Sequence, residues 1–364
     1  MQKQKLPTEA VKEFLYEGEL LGIEPYGQGL INSTYLATCK KGDEEKRYIL
    51  QAINTSVFKD PDLLMNNISE ITKYLLQTEA NPNHVLTPVI TKGGKYHTTD
   101  KHSVCWRLYV FVENSLTLNA PETKEDFYES GRAFGKFQRD LANFPVEKLG
   151  ETIPNFHNTP WRYEMLMEAV ENNLAGRLDE VTSELEFIKA RKDFCNCLFD
   201  ANKKGELPLR VTHNDTKINN VLFDNDTRKA CCVIDLDTTM PGFSVTDFGD
   251  AIRFGANTTA EDDPDLSKVN FDMEMFKAYT DGFLSGCGGS LPDSEIMLLP
   301  EGAKMMTFEC GMRFLTDYLN GDTYFKCTHE KHNLDRTRNQ MKLVAEMEKH
   351  WDEMKAYVKK YCKG

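Results

Sequence analysis

The sequence predicts an α+β chain of two lobes, a small antiparallel β lobe at the N-terminus and a larger, mainly helical lobe after it. Three observations predict this. Strand-like runs fill the first hundred-odd residues around one helix. Helical periodicity takes over beyond residue 123. A chain of 364 residues is also too long for one ordinary core. The boundaries fall at 1–113 for the first lobe, 114–122 for a hinge and 123–364 for the second.

The strand signals are Leu21–Tyr26, Ser33–Thr38, Arg47–Ile53 and Val104–Phe111, rich in β-branched and aromatic residues. Between the first two lies Gly27-Gln28-Gly29-Leu30-Ile31-Asn32, which reads either as a loop draped over phosphates or as a plain hairpin turn. The inserted helix, Pro61 to Gln77, carries Leu64, Ile68, Ile71 and Leu75 on one face. Past the hinge, Thr123-Lys124-Glu125-Asp126 is a capping box opening a helix with Phe127, Phe134, Phe137 and Leu141 on one stripe. Gly131 and Gly135 weaken that helix in isolation, so they predict close approach of a neighbour. Pro145–Arg162 and Pro241–Asn270 read as irregular, with His157 and Trp161 open to either packing or ligand contact. Gly302–Asn320 reads as a helix, and Leu334–Tyr361 as a last helix whose apolar stripe packs on its own lobe or on a second copy.

Composition narrows the function. A net charge of −13 argues against general nucleic-acid binding. The start, Met1 to Pro7, lacks a signal peptide's apolar core and no long apolar run follows, so a cytoplasmic protein without membrane attachment is expected. Ten cysteines without framework or zinc spacing read as reduced thiols.

The chemistry lies in His213-Asn214-Asp215-Thr216-Lys217-Ile218-Asn219-Asn220 and in Asp235. An Asp followed five residues on by Asn is the spacing by which phosphotransferases orient a hydroxyl, take its proton and hold Mg²⁺. Val221–Phe223, a polar turn, and an apolar run ending at Ile234 read as a hairpin that returns Asp235 to Asn220. Asp215 is thus the expected base, with Asn220 and Asp235 as oxygen ligands for Mg²⁺. Asp247-Phe248-Gly249 lacks that hairpin context, and Asp247 or Asp250 is expected to accept backbone hydrogen bonds from the catalytic loop instead.

The chain resembles the aminoglycoside-phosphotransferase-like kinases, most closely the N-acetylhexosamine 1-kinases. The matching stretches are Gly22–Gly27, Arg47–Gln51, Leu209–Lys217, Val233–Thr238, Asp247–Asp250 and Glu309–Phe314, spread nearly end to end. The resemblance implies a bilobal protein-kinase-like fold, with ATP as phosphoryl donor between the lobes and a small sugar acceptor on the helical one. It implies that Ile23 and Phe254 flank the adenine and that Arg313 and Tyr324 touch the sugar. Gly27, Gly29, Gln51 and Glu113 complete the expected nucleotide contacts, and His213 the expected acceptor contacts.

One position departs from the wider kinase pattern. Where protein kinases place a phosphate-pairing Lys on the third strand, this chain has the neutral Gln51, and Lys217 is either the replacement cation or an exposed loop residue. Glu309, Arg313 and Asp317 share a helix face that is either a salt-bridge ladder or the lining of a cleft. The expected activity is transfer of phosphate to O1 of an N-acetylhexosamine. The rivals are a kinase of an aminoglycoside, choline or another sugar, and a nucleotide-binding pseudokinase. The acidic run Glu261–Asp265 keeps the aminoglycoside reading open.

Overall fold

The computed structural model describes residues 6–27 and 32–363, so Gly29 and most of its loop lie outside the described residues. β1 (Glu19–Pro25), β2 (Ser33–Lys41), β3 (Glu44–Ile53), β4 (Thr98–Thr99) and β5 (Cys105–Val110) form one antiparallel sheet in the order β1-β2-β3-β5-β4. Alternation divides its side chains between two interiors. Tyr48, Leu50, Trp106 and Leu108 pack with Phe14 and Tyr35 in the sheet's own core. Ile53, Cys105 and Tyr109 point the other way, onto the helix Pro61–Thr78. The polar exceptions on that second face are Gln51 and Arg107, which are opposed in register.

The Pro61–Thr78 helix joins the lobes. Its Leu64, Ile68 and Ile71 are wholly buried in a cluster that also contains Phe137, Leu141 and Phe144 of the larger lobe. The stretch expected as a hinge contains regular structure. Ser115–Thr117 is a strand, β6, that pairs with β8 (Val221–Asp224), which pairs in turn with β9 (Ala230–Val233). The chain is therefore tied to the hairpin of the larger lobe before the first long helix begins. β7 (Arg210–Thr212) and β10 (Met240–Gly242) form a separate antiparallel pair beneath it.

The first long helix, Lys124–Asp140, has the expected capping box: Thr123 accepts from the Asp126 backbone while the Asp126 carboxylate accepts from the Thr123 backbone. Its two glycines meet the helix Met273–Cys287, which returns glycines of its own. A Cβ at Gly131 would stand 2.6 Å from the Tyr279 carbonyl oxygen, and one at Gly135 2.0 Å from that of Phe283. Gly282 and Gly286 meet Tyr128 and Arg132 in the same way, at 2.0 and 2.3 Å. No rotamer relieves a clash with backbone, so Gly135→Ala is expected to cost upwards of about 3 kcal/mol. A urea unfolding midpoint within error of the parent would contradict that packing.

Two expectations are corrected. Pro241–Asn270 is not irregular throughout, because Ser244–Gly255 is a helix. The last helix is two, His332–Lys349 and Trp351–Lys359, broken at His350, and its stripe of Met341, Val344, Met347, Met354 and Val358 is buried within its own lobe. Among the described residues all ten cysteines are free, and no helix is long and apolar enough to cross a membrane.

Candidate functional site

The β8–β9 hairpin brings Asn220 and Asp235 together, as the spacing predicts. Val221 faces Val233 in register, and the Ile234 amide donates to the Asn220 carbonyl at 2.9 Å. The chain then turns sharply, with Asp235 left-handed at φ 58°, and enters a 3₁₀ turn at Leu236–Thr238. A non-glycine residue there costs energy, and such strain is found where a side chain must be aimed. Asn220 donates through Nδ2 to the Asp215 carbonyl (2.8 Å) and carboxylate (3.0 Å), which leaves its Oδ1 for another partner. Asp215, Asn220 and Asp235 are therefore neighbours.

The loop carrying Asp215 is held from behind. Asp247, in the Ser244–Gly255 helix, accepts from the backbone amides of His213 (2.9 Å) and Asn214 (2.7 Å) and from Gln138 Nε2 (2.7 Å). Asp250, one turn later, accepts from the Thr216 amide at 3.0 Å. Both carboxylates thus accept from the loop's backbone, as the sequence suggested. His213 is corrected. It is wholly buried against Phe134 and Phe137, its Nε2 faces the Ile234 carbonyl at 2.8 Å and its Nδ1 accepts from the Asp215 amide, so no edge remains for an acceptor.

Electrostatics sets the two site carboxylates apart. Burial pushes the Asp215 carboxyl up, but the Lys217 ammonium 2.9 Å away and the Asn220 amide outweigh it and hold it below the usual range. Its base form is the stable one. Asp235 is exposed, yet desolvation by its neighbours, with the charges of Asp237 and Asp215, pushes it up to about 7, against Arg107 and Lys217. Crowded carboxylates of this kind are what a divalent cation relieves. Among the described residues no three His, Cys, Asp or Glu form a closed metal site. An ion on Asn220 and Asp235 would take its remaining oxygens from a ligand and water, as Mg²⁺ does beside a nucleotide.

Sequence reasoning missed Arg107. Its guanidinium, 1% exposed, forms a two-pronged pair with Asp237 and donates through Nε to Gln51 at 3.0 Å. Asn32 donates to the same carboxylate at 2.9 Å, and Gln51 donates onward to Thr34 at 3.2 Å. A cation thus stands opposite the neutral Gln51 of β3, at the paired position of β5, with its guanidinium taken up by Asp237. Only pairing the strands reveals this.

The other expected nucleotide contacts are dispersed. Gly27 takes φ 68° with open space where a Cβ would stand. Ile23 is in the sheet's own core, whereas Phe254 lines a cavity of about 920 Å³ with Asn119–Lys124 and Arg253, which Ile23 does not line. Glu113 pairs with Arg47 at the surface.

The face shared by Glu309, Arg313 and Asp317 is not a surface ladder. Glu309 is wholly buried, accepting from His157 Nδ1 (2.9 Å) and Thr159 Oγ1 (2.5 Å), while His157 Nε2 lies 3.1 Å from the Asn214 carbonyl. His157 thus ties the Leu299–Leu319 helix to the loop that carries Asp215. Asp317 accepts from the backbone amides of Thr323, Tyr324 and Phe325 at 2.8–2.9 Å, which fixes the turn that presents the exposed Tyr324. Arg313 lies over the rings of Phe156 (5.3 Å) and Phe325 (5.6 Å).

Residues 22–279 match the model of a phosphotransferase enzyme family. Among solved structures, an aminoglycoside phosphotransferase from Alicyclobacillus acidocaldarius is similar at TM-score 0.64 and 11% identity, over 99% of this chain and 98% of that one. A choline/ethanolamine kinase family protein from Mesorhizobium loti is similar at TM-score 0.57 and 13% identity, over 98% and 96%. The GDP complex of aminoglycoside 2'-phosphotransferase-IIIa is similar at TM-score 0.57 and 13% identity, over 89% and 93%. At these identities the likeness is one of fold, and it is the kinase-like fold expected.

Proposed function

The chain belongs to this phosphotransferase enzyme family, and from that premise we propose that it transfers the γ-phosphoryl group of ATP to O1 of an N-acetylhexosamine in the cytoplasm. The observation that carries the transfer is the convergence of Asp215, Asn220 and Asp235 beside the cleft. Asp215, kept ionised by Lys217, orients the acceptor hydroxyl and takes its proton. Lys217 is then placed to meet the charge that gathers on the transferred group. Mg²⁺ on Asn220 and Asp235 would screen the phosphate oxygens. An intact base and ligand pair argues against a pseudokinase, and a cation, Arg107, stands beside the neutral Gln51 that favoured one.

The acceptor reading rests on charge. Relatives of this fold are named for aminoglycosides and for choline or ethanolamine, which are amines. A site for such cations wants a free acidic lining or an aromatic cage. Here Glu261 is paired with Arg253, Asp262 with His332 and Asp265 with Lys268, and Arg313 projects among aromatic rings. That favours a neutral acceptor rich in hydrogen-bond acceptors.

An acceptor panel with ATP and Mg²⁺ tests the proposal. It includes N-acetylglucosamine, N-acetylgalactosamine, glucose, galactose, choline and kanamycin, with the phosphorylated position read by phosphorus NMR. A 1-phosphate of an N-acetylhexosamine is expected; phosphate on kanamycin or choline alone would replace the substrate and keep the reaction. Asp317→Asn should then raise the acceptor KM about tenfold by freeing the Tyr324 turn, with the ATP KM within about twofold. Equal changes in both would leave Tyr324 out of the acceptor site.

A further inference from the structure

We propose that Arg162, with Arg313, forms a receptor for a planar carbonyl or carboxylate oxygen on the acceptor, and that this pair excludes acceptors carrying a protonated amine. The proposal rests on the reading of this pocket as the acceptor side of a phosphotransferase and adds a specificity-determining residue to it.

Other arginines set into the fold are matched to carboxylates, Arg107 to Asp237, Arg253 to Asp250 and the half-buried Arg210 to Glu295, with Arg336, whose Nε is also unbonded, the exception among the described residues. Arg162 and Arg313 are not. Among the described residues neither has a carboxylate within ion-pair distance, in a protein with 57 acidic and 44 basic residues. The two converge on one residue. Arg162 donates through Nη2 to the Phe156 carbonyl at 2.9 Å, and Arg313 lies over the Phe156 ring. The nearby carboxylate, Glu309, has both oxygens engaged by His157 and Thr159.

The Nε of Arg162 is buried and bonded to nothing, while its guanidinium is seated over the Trp161 ring at 4.9 Å. An orphaned donor in a charged group is costly and calls for a partner. Burial first, and then the charge of Arg313, hold the Arg162 guanidinium down to about 10, with Glu309 acting against them. A planar oxygen set between them relieves both costs, because the guanidinium fork matches carbonyl and carboxylate lone pairs. The receptor also sits beside the reaction. His157, next to Phe156, contacts the Asn214 carbonyl, and Asn214 precedes Asp215.

An amide carbonyl on an N-acyl sugar and the carboxylate of a uronic acid share this chemistry, and kinetics separates them. kcat/KM is measured for N-acetylglucosamine, glucuronate, glucose and glucosamine with the parent enzyme, Arg162→Gln and Arg162→Lys, each checked for an unchanged melting temperature. Arg162→Gln should lower kcat/KM at least about tenfold for whichever carbonyl or carboxylate acceptor is used, leave glucose within about threefold and raise glucosamine. Arg162→Lys, which keeps the charge and loses the fork, should still exclude glucosamine without restoring full activity.

Equal losses on all four sugars would make Arg162 a packing residue and overturn the proposal, as would a parent enzyme that prefers glucosamine, choline or kanamycin. Turnover of glucuronate but not N-acetylglucosamine would keep the receptor and end the N-acetylhexosamine reading. Should no sugar be phosphorylated, glycerate and choline replace them. Arg162-dependent turnover of glycerate sustains the receptor, and turnover of choline alone, or of neither, ends it.

Discussion

Asp215→Asn is expected to lower kcat about 10³-fold while nucleotide affinity stays within about threefold of the parent. Asparagine keeps an oxygen to accept from Asn220 and fills the same space, but it cannot take a proton and loses the ion pair with Lys217. About a quarter of each side chain of that ion pair is exposed, so its loss costs little stability, and a small shift in melting temperature separates this variant from an unfolded one. A near-normal kcat would remove Asp215 from proton transfer. The pH profile divides the carboxylates further. Asp215 is held below the usual carboxylate range, so no loss of rate near neutrality arises from it. Asp235 titrates near 7, and below that pH a cation must displace its proton. The Mg²⁺ concentration for half-maximal rate should therefore climb between pH 8 and pH 6, and a flat response would take Asp235 out of the cation site.

The features legible in the sequence were those fixed by local rules. A polar turn between two apolar runs specifies a hairpin, and a hairpin of known length specifies that Asn220 and Asp235 meet. Thr123 and Asp126 specify a helix start through two reciprocal bonds within four residues. The glycines of the first long helix announced a close neighbour but not which one, because Gly282 and Gly286 answer them from some 150 residues away. Long-range pairing was the blind spot. Arg107 and Gln51 are 56 residues apart in sequence, and Arg107 and Asp237 are 130 apart. His213 was misplaced for the opposite reason. Its position beside the base suggested ligand contact, whereas a loop that must hold Asp215 still needs an anchor on its far side, and two phenylalanines with the Ile234 carbonyl supply one. Spacing brought Asp215, Asn220 and Asp235 together; it could not assign the residues that hold them.

Arg107→Met is expected to destabilise the protein by about 3–5 kcal/mol and to lower kcat/KM for ATP at least about tenfold. The two effects have different origins. The stability loss comes from leaving the Asp237 carboxylate, 3% exposed, with Asn32 as its remaining side-chain donor. The activity loss comes from the turn that Asp237 anchors. Asp237 lies two residues past Asp235, whose left-handed backbone aims it at Asn220, and Arg107 also holds down the proton affinity of Asp235. Without Arg107 that carboxyl titrates higher and competes less well for a cation at neutral pH. A double variant separates the two origins. Arg107→Met with Asp237→Asn removes the stranded charge and should recover most of the lost stability, to within about 1–2 kcal/mol of the parent. It restores neither the two-pronged contact between the lobes nor the positive charge beside Asp235, so kcat/KM for ATP should stay low. Recovery of activity along with stability would reduce Arg107 to a structural tie, and the cation that replaces the third-strand lysine would then have to be Lys217.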